Sequence, residues 1–192
     1  TNVKLMQGAQ GGIPAEEMDE PTEPYWTSVI PQKLAQAGVT ANEVQVVWFL
    51  QANAAPTAAF PAHAQNLQSQ MAAILRIARD TFPNLRIAYC ASRIYAGYAT
   101  TSLNPEPYAY EQAFAVKWLI EQQIDGDPAL NYDADRGPVE APWIAWGPYM
   151  WADGLTPRSD GLTWVCSDFN ADGTHPSLQG AQKNASYLLD FF

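Results

Sequence analysis

Basic residues are scarce in this chain: 10 Lys and Arg stand against 20 Asp and Glu, for a net charge of −10. They are scattered singly, which argues against nucleic acid and anionic membrane surfaces as partners, since both select clustered cations. No apolar run approaches the roughly eighteen residues that a membrane-spanning helix needs, and no signal peptide is visible. Only 2 cysteines occur, Cys90 and Cys166. They are too few for a disulfide framework and lack the spacing of a metal site. One bridge between them and two separate thiols are equally open readings. Histidine is as rare, so imidazole chemistry would rest on His63 or His175.

What is present describes a globular chain of 192 residues, 47% hydrophobic and 16% charged. That length suits one domain with a proper core, expected to span 1–192. Since Thr1-Asn2-Val3-Lys4 opens without Met, the gene product is expected to extend upstream.

Periodicity alternates along the chain. Val3-Lys4-Leu5-Met6 reads as a short strand, followed by a glycine-rich turn at 7–12 whose spacing is not that of a dinucleotide fingerprint. Residues 26–37 read as a helix ending at Gly38. Residues 45–51 form an apolar run that suits a strand buried on both faces. A helix is predicted over 61–82, with Leu67, Met71, Ile74, Leu75 and Ala78 on one stripe. Residues 85–92 and 143–147 are the next strands. Between them 110–123 is a helix with Phe114, Trp118 and Leu119 on a face, and 178–192 closes the chain as a helix turning Ala181, Ala185, Leu188 and Leu189 to the sheet. Strand, loop and helix in alternation predict an α/β fold with a parallel sheet. In such sheets ligands bind beyond the C-terminal strand ends, where the glycine turn, the Asn53 loop, the Ser92-Arg93 loop and residues 172–177 should gather.

The last of these, Asp172-Gly173-Thr174-His175-Pro176-Ser177, sets a carboxylate three residues before an imidazole. A turn at Gly173 can fold the carboxylate under the ring, leaving the other ring nitrogen as a general base. The bland alternative is a solvated His in a loop whose Asp caps the next helix. Asp-x-x-His-Pro before a C-terminal helix resembles the last conserved block of the SGNH hydrolases, also called the GDSL esterase/lipase family. The resemblance implies a three-layer α/β/α sandwich with a flavodoxin-like sheet, with His175 as base and Asp172 as its orienting partner. It implies an oxyanion site from the backbone of Gly12, with Gly11 a near rival, and from the Asn53 amide. Gln51 and Ala54 stand where the family has Gly and Asp.

The family's Gly-Asp-Ser block, on a central strand ahead of the glycine turn, is missing from these residues. The resemblance therefore implies that an upstream segment or a second chain supplies that strand and its nucleophilic Ser. Ser92 carries no strained glycine elbow, and Ser177 reads as the cap of the final helix. Cys90 and Cys166 are apolar-flanked and so poor nucleophiles. His63 reads as a surface or cap residue. The Asp125-Gly126-Asp127 and Asp133-Ala134-Asp135 runs lack the length and closing Glu of a calcium loop. Arg93, Tyr95 and Trp151, with Gly11, are candidates for a substrate pocket, the aromatic rings inviting a sugar face. The function expected is serine ester hydrolysis of small acyl esters, foremost carbohydrate acetyl esters, with no metal or organic cofactor, in a secreted or periplasmic protein. The rival is a non-catalytic carbohydrate-binding or structural protein on the same scaffold.

Overall fold

The computed structural model describes residues 3–192. Three parallel strands, β1 Val46–Phe49, β2 Ile87–Cys90 and β3 Trp143–Trp146, form one sheet in the order β1-β2-β3. Four α-helices accompany them: α1 Ile30–Ala37, α2 Ala62–Thr81, α3 Tyr108–Ile124 and α4 Leu178–Phe191. This is the α/β architecture that the alternating periodicity implies.

The predicted stripe of α2 is buried, and Leu67, Met71, Ile74, Leu75 and Ala78 meet Phe49, Ala88, Cys90 and Ile144 across one sheet face. Ala115, Val116 and Leu119 of α3 close the same core. Each large side chain removed from water there contributes roughly 1.5–3 kcal/mol, so this face carries the stability. On α3, Phe114 and Trp118 pack instead with Phe60 in a flanking aromatic group, and only Leu119 of the expected trio is buried.

The other sheet face is thinly covered. Pairing sets Trp48 beside Tyr89, against which Phe191 and Phe192 pack edge-on. Val46 and Trp48 nevertheless stay 52% and 40% exposed. The expectation of a strand buried on both faces is thus corrected for β1, because it is an edge strand covered on one face only.

The two sheet edges differ. At β3 Gln123 meets the edge at one point, its Oε1 accepting from Ile144 N at 2.8 Å while its Nε2 donates to the carbonyls of Leu130 and Pro142. At β1, Ile87 N donates to Gln45 O and Ala91 N to Phe49 O. Parallel alternation then turns the amides and carbonyls of Val46 and Trp48 away from β2, where no described residue pairs with them. The expected strand at Val3–Met6 does not form. Val3 and Leu5 are 85% and 92% exposed, and without a neighbouring strand their backbone has nothing to ladder with.

Helix α4 presents a different face from the one expected. Ala181, Ala185 and Leu189 are exposed, while Gly180 is buried and Lys183, Tyr187 and Leu188 are half-buried. A side chain at position 180 would collide with the Asp168 carbonyl, and Lys183 reaches inward to the buried Asp168 carboxylate. A close backbone approach and an ion pair set this face, which hydrophobic periodicity does not register. Cys90 is buried and Cys166 exposed, both as free thiols, so the bridged alternative falls.

Candidate active site

The 172–177 loop is built by its own backbone. Asn170 N donates to His175 O, Gly173 N to Asn170 O, and Phe169 bridges Pro176 across the loop. Gly173 sits at φ +65, and any Cβ there would run into the Tyr98 carbonyl. Only glycine permits both the left-handed turn and that approach. Ser177 Oγ accepts from Gly180 N at 3.3 Å, capping α4 as expected.

This turn folds Asp172 beneath the ring. Its Oδ2 lies 2.5 Å from His175 Nδ1, and its Oδ1 accepts from the backbone N–H of Thr174 and of His175, each at 3.0 Å. The bond to His175, followed by the two backbone donors, holds the Asp172 carboxyl at about 2. Nδ1 is therefore the donor, and the tautomer leaves Nε2 as the acceptor. The side chain of His175 is 61% exposed, and no described residue occupies Nε2.

The loop after β2 meets this one and ties it to the others. Thr100 N donates to Asp172 O at 3.0 Å. Four residues on, Asn104 Nδ2 donates to Asn53 O at 2.7 Å. An extended step of four residues spans at most about 14 Å, so Thr100–Asn104 ties the Asp172–His175 loop to the Asn53 loop beyond β1. The glycine turn joins from the far side: Ala15 N donates to Ala52 O, and Gln51 Nε2 to Ile13 O. Gly12 has φ +80, is exposed, and its N–H has no partner among the described residues. Gly11 beside it is exposed as well.

Asn53 is engaged differently from the simplest oxyanion picture. Its Nδ2 donates to Glu16 Oε2 at 2.7 Å and to Gln70 Oε1 at 2.6 Å, which uses both amide hydrogens. Its buried Oδ1 has no partner, and the same holds for Oδ1 of Asn104. Gln51, standing where the resemblance wants glycine, accepts on its carbonyl from Gln112, which also bonds Ala91 O and Arg93 N. Glu16, Gln70, Asn104 and Gln112 are site residues that the sequence reading missed, because each reaches the site across a long chain separation.

Beyond β2, Arg93 and Tyr95 lie on the loop that reaches Asp172 at Thr100. Trp151 Nε1 donates to Glu106 Oε1 at 2.8 Å, and its ring lies 4.7 Å from that of Tyr110 and 6.4 Å from that of Tyr95. Glu106 Oε2 accepts from Tyr110 N at the start of α3. An aromatic wall therefore stands around one well-bonded carboxylate.

Of the alternative nucleophiles, Ser92 and Cys90 are out of reach, while Cys166 is exposed. Ser92 is 0% exposed and its Oγ accepts from Met150 N at 2.7 Å. Burial pushes the Cys90 thiol up to about 12. His63 corrects its surface reading: it is 3% exposed, with Nδ1 at 3.2 Å from Glu111 Oε2 and the ring edge-on to Tyr108. Position 63 continues the 67–71 stripe one turn earlier, a signal that its place at the helix start obscured. Among the described residues no group of three His, Cys, Asp or Glu is placed to hold a metal, and no helix is long and apolar enough to cross a membrane. Comparisons with protein-family models, curated proteins and solved structures find no match for this chain.

Proposed function

We propose that this chain is the base-bearing part of a serine ester hydrolase of SGNH type, acting on acyl esters of carbohydrates. One observation carries the reading: an exposed imidazole whose Nδ1 is held by Asp172 and whose Nε2 meets no described residue. The nucleophilic Ser would come from a strand that pairs with the free edge of β1, completing the sandwich. The open backbone of Val46 and Trp48 supports that seat. So does an apolar stripe on α4, where Leu178, Ala181, Ala185 and Leu189 are exposed at helical spacing. A strand followed by a helix would cover both. Such a protein would work outside the cytoplasm, where polymeric carbohydrates are met.

In this reading the Ser hydroxyl passes its proton to His175 Nε2 as Oγ attacks the ester carbonyl. The tetrahedral oxyanion is held by Gly12 N–H. The His175 proton then goes to the leaving alcohol, and water repeats the sequence on the acyl-enzyme. Asp172 stays ionised throughout and steadies the imidazolium. Asn53 would join as second donor by releasing Gln70 or Glu16, a contribution on the order of 3 kcal/mol to the transition state.

The engaged Asn53 amide also favours a second reading, a carbohydrate-binding protein on a hydrolase scaffold. The full-length protein and its His175→Ala variant, assayed on p-nitrophenyl acetate, decide between them. Hydrolysis that falls about a thousandfold or more in the variant is expected. Equal rates would leave the binding reading.

A further inference from the structure

Arg93 is fixed in place, but its side chain has no hydrogen-bond or ion-pair partner among the described residues. Its backbone N–H donates to Gln112 Oε1 at 3.1 Å, anchoring the residue where β2 ends. Its Nε is buried with no hydrogen-bond partner. Arg136 and Arg158 pair with Asp133 and Asp160, whereas Arg93, like Arg76, Arg79 and Arg86, forms no such pair among the described residues. The nearest acid in electrostatic effect is Glu106, and it is committed elsewhere, to Ala96 N, Trp151 Nε1 and Tyr110 N. A guanidinium is always charged, and a buried polar group without a partner is costly. Burial accordingly draws Arg93 below its ordinary value, against the opposing charge of Glu106.

Glu106, whose charge acts on Arg93, also holds Trp151 and Tyr110, and the groups around it indicate what would relieve Arg93. Tyr95, Tyr110 and Trp151 form the aromatic wall, suited to the apolar face of a sugar ring. The loop that begins at Arg93 runs on through Tyr98 and Thr100 to the Asp172–His175 turn. The guanidinium fork matches a carboxylate bidentately.

We infer that Arg93 is an anion subsite, and that the ester processed here is carried by an acidic sugar whose carboxylate Arg93 binds. The identification of the ester rests on the hydrolase reading above, whereas the subsite itself does not. An acetylated uronic acid unit is the substrate class. Its ring lies along Tyr95 and Trp151 and its carboxylate faces Arg93, with the acyl group toward His175.

Calorimetric titration of the full-length protein with D-glucuronate, methyl glucopyranoside and inorganic sulfate tests this, beside Arg93→Met and Arg93→Lys. Glucuronate is expected to bind about tenfold or more tighter than the neutral glucoside, the order of one charge-assisted hydrogen bond. Arg93→Met should abolish that preference, while Arg93→Lys keeps part of it. Equal binding of the two sugars, no binding of glucuronate, or a preference that survives Arg93→Met overturns the inference. Sulfate binding as tightly as glucuronate overturns the acidic-sugar assignment. Should Arg93→Met lose its near-ultraviolet circular dichroism, an unchanged preference in Arg93→Lys counts as the overturning result. Glucuronate preference in a protein inert on p-nitrophenyl acetate would sink the hydrolase reading and keep the subsite. An active esterase without the preference would do the reverse.

Discussion

The Asp172 carboxylate takes three hydrogen bonds, all from within three residues of itself. Its folded value of about 2 lies below the ordinary carboxylate value of about 3.9. A depressed acid contributes stability that is fully present above the unfolded value and lost as pH falls through the folded one. The Asp172 contribution is therefore constant at neutral pH and disappears between about pH 5 and pH 2. Asp172→Asn should flatten that part of the acid limb, which urea unfolding at pH 6, 4 and 2.5 would read. An unchanged slope between the two proteins would show that the carboxylate is not held as described. This part of the site was legible because it is local: spacing, a glycine and a proline sufficed. The commitment of Asn53 to Glu16 and Gln70 was not, since those partners stand 37 and 17 residues away. The same holds for His63, whose partner Glu111 arrives on another helix.

Hydrophobic periodicity locates the elements that pack through it more reliably than those that dock by other means. While β3 sends in only Ile144 and leaves Trp143 and Trp146 exposed, helix α2 and strand β2 follow their apolar patterns into the core. Helix α4 does not, because Gly180 against Asp168 and the Lys183–Asp168 ion pair choose its inward face. Asp168 is fully buried and also accepts from Val165 N and Gln179 Nε2. Removing one partner of a buried pair leaves the other charge stranded. Lys183→Met should therefore destabilise by roughly 3 kcal/mol, near the lower end of that class because two donors to Asp168 remain. The matching change Ala181→Ser, on the exposed face, should stay within about 0.5 kcal/mol. Chemical denaturation of both variants checks the assignment, and similar losses in the two would mean that α4 docks by its apolar stripe after all.

At the scale of the whole molecule the imbalance lies between two sheet edges and two helix faces. Gln123 engages the outward amide of Ile144 on β3, whereas no described residue pairs with the outward backbone of Val46 and Trp48 on β1. An open, uncharged strand edge is an aggregation liability that folded proteins ordinarily cover or charge. The residues from Gln45 to Gln51 carry no charge at all, so nothing in them guards the edge. A paired strand would resolve this and would bring a Ser to the C-terminal side of the sheet, toward His175. Hydrogen exchange on the full-length protein reads the difference directly. The amides of Val46 and Trp48 should exchange as slowly as those of Val47 and Phe49, which face β2 in either case. Fast exchange at Val46 and Trp48 with protection at their neighbours would mean an open edge. The nucleophile would then have no seat beside β1, and the hydrolase reading would lose its first step whatever the geometry of Asp172 and His175.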